Sequence, residues 1–224
     1  MDGYLAQVPL FRTLPSAELK RVADVCELRR FRKGEVLFDE GQPADSIWLI
    51  QRGWVYLVRR TPQGTPVTIF TVTPEEMLCG FSAILDQGAY YASAVAATDT
   101  TAIRIPRAEF THLLNNQPGF ALDILAIYHT RMRHMAETLS LAQAPVEQRL
   151  AYTLLRLKAT FGKTIPVTHQ ELARMAGTRW ETSIRRIATF KRKHWLATSR
   201  GKITILSPDQ LKALLNSSRH HHNS

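Results

Sequence analysis

The chain has 224 residues, 45% hydrophobic and 21% charged, which suits one large domain or two small ones and argues against disorder. Its two cysteines, Cys26 and Cys79, exclude a disulfide scaffold, a four-cysteine zinc site and an all-cysteine iron–sulfur cluster within one chain. The net charge of +10 is unevenly spread: residues 1–144 hold 14 Lys and Arg against 15 Asp and Glu, and residues 145–224 hold 15 against 4. The last third therefore suits a polyanion, DNA or RNA, because neutralising phosphates releases counterions. A solvated basic face is the alternative that charge alone leaves open. No run of 18 apolar residues is present, so no membrane span is expected. The opening Met-Asp-Gly-Tyr-Leu lacks the basic-then-apolar pattern of a secretory leader, and a cytoplasmic location is expected.

From Leu10 to Leu28 the pattern reads as short helices, with Ser16 as a cap and Leu19, Val22 and Ala23 on the inner face. From Phe31 to Ile105 it reads as many short strands: 35–38, 46–50, 54–58, 67–70 and 101–105. Gly34, Gly41, Gly53 and Gly64 punctuate them, together with Pro43, Pro62 and Pro74. Strands at this spacing predict a barrel or jelly roll. A short helix over 107–114 is interrupted by Pro118-Gly119. A long helix then runs from Phe120 to Ala142. Leu122, Leu125, His129, Met132, Ala136 and Leu139 follow 3-4 spacing along it, as a helix–helix seam would. Ile124, Ile127, Tyr128, Met135 and Leu141 form a second, less regular stripe. One stripe is expected on the barrel and the other on a partner chain, against the plainer reading of a helix buried in its own domain. Pro145 closes the helix and marks the junction. The expected domains are a sensor domain at 1–116, a helix and hinge at 117–144, a basic domain at 145–216 and a tail at 217–224.

The basic domain opens with an amphipathic helix over 146–161 and a short strand over 164–167. Thr168-His169-Gln170-Glu171 is a capping box starting a helix with Leu172, Ala173, Met175 and Ala176 as its apolar positions. Gly177 ends that helix where a left-handed residue is needed. Thr178-Arg179-Trp180-Glu181 has the form of a second box, opening a helix to about Lys193 with Ile184, Ile187 and Phe190 buried. Two helices joined by a glycine turn, with small Ala173 at the crossing, predict a helix-turn-helix whose second helix meets base edges in the major groove. A hairpin follows, with Ser199-Arg200-Gly201-Lys202 at its tip, as in the wing of a winged helix. Its basic tip suits phosphate contacts, which position without specifying sequence. The candidate DNA contacts are Thr168, His169, Thr178, Arg179, Trp180, Glu181, Thr182, Arg185, Arg186, Arg200 and Lys202.

Over about residues 5–215 the chain resembles the CRP/FNR family of bacterial transcription regulators. The resemblance rests on the Gly34, Gly41, Gly53 and Gly64 turns, the long helix to Ala142 and the Glu181-Thr182 and Arg185 positions. It implies an α+β protein: an N-terminal β-roll (double-stranded β-helix) sensor domain, a long dimerisation helix and a C-terminal winged helix-turn-helix. It implies a homodimer zipped through Leu125, His129, Met132, Ala136 and Leu139, which reads a two-fold symmetric DNA site, with RNA polymerase as a further partner. Glu181 and Arg185 match the pair that reads bases in the family.

The departures are specific. Trp180 stands where an arginine is common before the glutamate, and the order Ser183-Ile184 turns Ile184 toward the DNA-facing side. The effector-pocket candidates are Gly80, Phe81, Tyr90, Tyr91 and Ser93. Phe81 replaces the glutamate that meets ribose in cyclic-AMP-binding members, and Tyr91 falls at the phosphate-holding arginine. No Arg or Lys lies between Arg60 and Arg104, so a phosphate buried there lacks a charged partner. Cyclic-nucleotide binding by the usual mode is therefore not expected, and no cofactor is assigned. A haem or redox-sensing member of the family is an alternative reading. The first histidine is His112, which counts against haem, and Cys79 is the redox candidate. His129 is expected to be packed and hydrogen-bonded. No metal role is assigned, including to the tail run His220-His221-His222.

Two readings from other classes compete. An enzyme on a β-roll needs barrel histidines that are missing before His112, and no phosphate loop, Gly-x-Ser-x-Gly elbow or His-Glu-x-x-His motif is present. A cyclic-nucleotide-like regulatory or protein-interaction module explains the strands but not the basic domain.

Overall fold

The computed structural model describes residues 1–78, 82, 84 and 88–216. The chain divides into two compact units, Met1–Arg131 and Met132–Ser224.

The first unit opens with α1 (Asp2–Leu5), a 3-10 turn at Pro9–Phe11 and α2 (Ser16–Val25), which bury Leu5, Val8, Leu10, Phe11 and Val22. Ser16 does not cap α2. Pro15 holds the N-cap position in an extended conformation (φ −56°, ψ 145°), and Ser16 is already helical. The helix also stops short of Leu28, because the chain enters β1 (Glu27–Phe31).

Seven more strands follow: β2 (Val36–Phe38), β3 (Ser46–Arg52), β4 (Val55–Arg60), β5 (Pro66–Val72), β6 (Met77–Leu78), β7 (Ser93–Ala96) and β8 (Thr100–Pro106). They form two four-stranded sheets, ordered β1-β8-β3-β6 and β2-β7-β4-β5, and every pairing is antiparallel. This is the β-roll that the family resemblance implies, within the barrel or jelly-roll class predicted by the strand spacing. Its core holds an aromatic cluster. Phe38 stacks on Tyr90 with centroids 3.8 Å apart, and Phe31 meets Trp48 edge-on at 5.8 Å. Full burial of a Phe, Leu or Ile side chain contributes roughly 1.5–3 kcal/mol.

The turn glycines Gly34, Gly41, Gly53 and Gly64 all have positive φ. Gly53 is also pressed against backbone: a Cβ there would lie 2.5 Å from the Asp99 carbonyl oxygen and 2.9 Å from Thr100 Cα. Only glycine fits both the conformation and the space.

Two helices complete this unit, α3 (Arg107–Asn116) and the long α4 (Pro118–Ser140), which begins on its proline. Phe120 of α4 packs on Phe11 and Phe110 at 5.9 and 5.5 Å, and Ile124 is buried beside it. Ile127 and Tyr128 pack on the same core.

The second unit takes up the last turns of α4 and continues with α5 (Val146–Phe161), β9 (Thr164–Ile165), α6 (His169–Met175), α7 (Trp180–Arg192), β10 (Leu196–Ser199), β11 (Lys202–Ile205) and α8 (Pro208–Asn216). The strands form an antiparallel sheet ordered β10-β11-β9. Leu150, Leu154 and Leu157 of α5 are fully buried, as are Leu172, Ile187, Phe190, Ile203 and Leu211 from the surrounding elements. Tyr152 ties α5 to α4 by donating to Glu137 Oε2 at 2.9 Å. Burial, with Glu137 second, pushes its phenol up to about 12. Among the described residues no helix is long and apolar enough to cross a membrane.

Candidate nucleic-acid interface

The helix-turn-helix is built from α6 and α7. The box at its start is complete. Glu171 N–H donates to Thr168 Oγ1 at 3.2 Å, and Thr168 N–H donates to Glu171 Oε2 at 2.8 Å. Gly177 has φ +57°. Its N–H donates to the Arg174 carbonyl and that of Thr178 to the Ala173 carbonyl, at 3.2 and 2.9 Å. These two bonds close a Schellman motif that turns the chain into α7.

The second box does not form. Arg179 is the N-cap of α7 (φ −71°, ψ 147°), which leaves Thr178 one residue outside, and no side chain caps the helix. The first N–H groups of α7 are thus left open.

Ile187 and Phe190 face the core, while Ile184 is only half-buried. Ser183 takes the fully buried place, and its hydroxyl has no hydrogen-bond partner. Arg179, Glu181 and Arg185 are exposed, Thr182 is half-buried and Trp180 keeps 51% of its surface. Glu181 and Arg185, four residues apart, share one face of α7. Arg186 is placed differently, because its guanidinium is ion-paired with Glu147 of α5 at 2.8 Å. Thr168 is exposed, and Thr178 and His169 are half-buried. Burial, with Lys191 second, holds the His169 imidazole below its ordinary value. Arg200 and Lys202 stand exposed on either side of Gly201, at the tip between β10 and β11.

In the β-roll, the structure spends two of the effector-pocket candidates elsewhere. Tyr90 is buried; its hydroxyl donates to the Ser46 carbonyl at 2.9 Å and accepts from Trp48 Nε1 at 3.3 Å. Ser93 Oγ accepts from the Glu40 N–H at 2.9 Å and so holds the turn after β2. Tyr91 is exposed. Gly80, Phe81 and Cys79 lie outside the described residues.

A cation from the long helix lies on the aromatic side chains of this unit, which the strand sequence cannot show. Arg131 of α4 lies 4.8 Å from the Phe70 ring centroid and 5.7 Å from that of Tyr128, and it donates to the Met77 carbonyl at 2.8 Å. Cys26, the other thiol, is pushed up to about 12 by burial and then by Glu109, so it is no thiolate at neutral pH. His112 stands 3.6 Å from Glu18. Among the described residues no group of three or more His, Cys, Asp and Glu could hold a metal ion.

The two stripes of α4 separate only in part. Ile124, Ile127 and Tyr128 pack on the β-roll, but Met135 of the same stripe is 54% exposed and Leu141 is half-buried; Leu125, Met132 and Leu139 of the other stripe remain 58%, 68% and 77% exposed. His129 and Ala136 are exposed with them on the same stripe. Sequence reading also missed Arg131, Glu147 and Arg149, whose partners lie 54, 39 and 28 positions away. No local pattern signals such contacts.

Comparison with known proteins agrees with both halves. Residues 28–117 match the family model of the cyclic nucleotide-binding domain, and residues 148–214 match that of the Crp-like helix-turn-helix domain. The chain is 31% identical over 176 residues to the cyclic AMP receptor protein of Thermus thermophilus, covering 78% of this chain and 81% of that one. It is 26% identical over 219 residues to a CRP-like cAMP-activated global transcriptional regulator of Mycobacterium tuberculosis, covering 94% and 97%. Its fold is also that of FixK2 from Bradyrhizobium japonicum, with a TM-score of 0.75, 17% identity and coverage of 85% and 97%. A β-roll followed by a long helix and a winged helix-turn-helix, with both domain models matched and a relative at this level, places the chain in the CRP/FNR family of transcription regulators.

Proposed function

We propose that this protein is a homodimeric, sequence-specific DNA-binding regulator, cytoplasmic, whose sensor unit responds to an atypical effector or to none. One observation carries the reading. The first turns of α7 present Arg179, Trp180, Glu181 and Arg185 to solvent from the unit that holds the excess of positive charge. Arginine suits guanine O6 and N7, and glutamate accepts from the cytosine amino group. The open N-terminus of α7 and the wing cations Arg200 and Lys202 suit phosphates. The exposed stripe Leu125, Met132 and Leu139 supports dimerisation, because it leaves large apolar side chains in water on a helix whose Ile124, Ile127 and Tyr128 are already packed on the β-roll. A dimer presents two copies of α7, and each half-site requires one at a separation of about 34 Å.

The effector reading rests on Tyr90 and Ser93, whose hydroxyls are spent inside the β-roll, and on Tyr91 at the usual arginine position. Arg131 offers a positive charge, but from the helix rather than from the position where the family's phosphate-binding arginine stands. Any effector acts by shifting the population of dimer geometries, and only by as much as it prefers one of them.

Selection of bound duplexes from random DNA, with and without cell extract, tests the whole reading. The expected product is a two-fold symmetric site. Recovery of no preferred sequence under either condition rejects it. Micromolar competitive binding of cyclic AMP by the purified protein rejects the effector reading alone.

A further inference from the structure

We propose that the first turn of α5 is a two-point clamp that sets the tilt of α7: Glu147 and Arg149 are positioning residues for DNA recognition, and Arg186 is the clamp's partner rather than a DNA contact. The proposal rests on the reading of α7 as the helix that meets DNA.

Glu147 and Arg149 are two residues apart on a helix, so their side chains leave it about 200° apart and cannot serve one point. They reach two separate places in the helix-turn-helix. Arg149 Nη1 donates at 2.7 Å to the carbonyl of Gly177, in the turn before α7. Glu147 Oε1 meets Arg186 Nη1 at 2.8 Å. Arg186 lies six residues into α7, about 9 Å along its axis from Trp180. Ile187 and Phe190 seat α7 on the core, and two polar contacts separated along the helix further restrict its tilt.

The same geometry sorts the adjacent arginines. Successive residues are about 100° apart around a helix, so pairing Arg186 with α5 turns Arg185 onto the exposed side, with Glu181. The carboxylate also neutralises Arg186, so it adds little to the attraction for phosphate. The side chains of the pair keep 47% and 29% of their surface, so its value lies in orientation more than in stability. Arg149 is held more deeply; its Nε is buried with no partner, which leaves the bond to Gly177 as its anchor in the turn.

The test is fluorescence anisotropy of the full chain on a selected duplex and on a random duplex of equal length, across a salt series. Glu147→Gln and Arg186→Gln are each expected to weaken specific binding about three- to five-fold, with the salt slope unchanged. The double variant should be no weaker than either single one. The exchanged pair, Glu147→Arg with Arg186→Glu, should recover most of the affinity. Thermal melts by circular dichroism show whether each variant is folded, and the exchanged pair keeps the test decisive if a single variant is not.

Three results overturn the clamp: Glu147→Gln tightening binding to both duplexes, Arg186→Gln lowering the salt slope by about one, or the exchanged pair binding worse than both singles. Each would make Arg186 a phosphate contact that Glu147 merely competes for. If the wild-type chain prefers no duplex at all, the reading of α7 fails first, and the clamp fails with it.

Discussion

Residues 1–144 hold 14 Lys and Arg against 15 Asp and Glu, and residues 145–224 hold 15 against 4, so the two regions differ in their carboxylates far more than in their cations. In the β-roll unit several are paired with carboxylates: Arg21 with Glu18 and Glu109, Arg29 with Glu27, Arg59 with Glu40 and Arg104 with Asp45. In the winged unit Arg179, Arg185, Arg200 and Lys202 are exposed, and among the described residues none of them has a carboxylate partner. The lesson is that the count of Lys and Arg carries little information. The scarcity of counter-charges carries the signal, because an unpaired cation remains free to displace counterions from a polyanion.

That contrast can be broken at several points. The largest effect is expected from the exposed stripe of α4. Replacing Met132 and Leu139 together by Glu should give a monomer by sedimentation velocity and cost on the order of a hundred-fold in affinity for a two-fold symmetric site. A variant that stays dimeric disproves the seam. Next is Arg185→Ala, expected to lose roughly 1–3 kcal/mol on the selected site with little change on random DNA. Equal losses on both would make Arg185 a phosphate contact.

Gly53→Ala should destabilise the β-roll by about 2 kcal/mol through its positive φ and the contact with Asp99, read as a lowered melting temperature. Base preference should not move, since the damage lies in the other unit. Ser183→Ala should do the reverse, raising the stability of the winged unit by about 1 kcal/mol, because it removes a buried hydroxyl that has no partner. A destabilised Ser183→Ala would show that the hydroxyl is satisfied after all.

The smallest effect is in pH. His169 is held neutral in the free protein by burial and Lys191. Phosphates nearby favour its charged form, so the complex takes up a proton. Affinity should then rise a few-fold as the pH falls from neutrality through the ordinary histidine range. His169→Gln should flatten that rise. A flat profile in the unaltered protein would place His169 away from the phosphates.

How far the sequence could be read depended on the range of the interactions involved. The winged unit was legible down to Gly177 and the first capping box, because caps and turns are decided by neighbours within four residues. The second box misled by a single position, since the Schellman turn after Gly177 makes Arg179 the N-cap, and Thr-x-x-Glu cannot register that shift. In the β-roll, β3, β4 and β5 were visible through their β-branched and aromatic residues. β7 was not: Ser93-Ala94-Val95-Ala96 is too small to look like a strand, although it lies between β2 and β4. β1 was read partly as helix because Glu27-Leu28-Arg29-Arg30 shows no alternation. Arg131 over Phe70, and Arg186 on Glu147, depend on tertiary packing and were out of reach.

Trp180 carries a practical consequence. Of the four tryptophans, Trp48 and Trp54 are buried in the β-roll and Trp195 stacks on Phe190 at 5.4 Å, which leaves Trp180 as the indole most open to solvent. It stands at the first residue of α7. The protein therefore contains its own optical probe at the place of interest. A water-soluble quencher should dim mainly this indole, and a duplex seated on α7 should shield it.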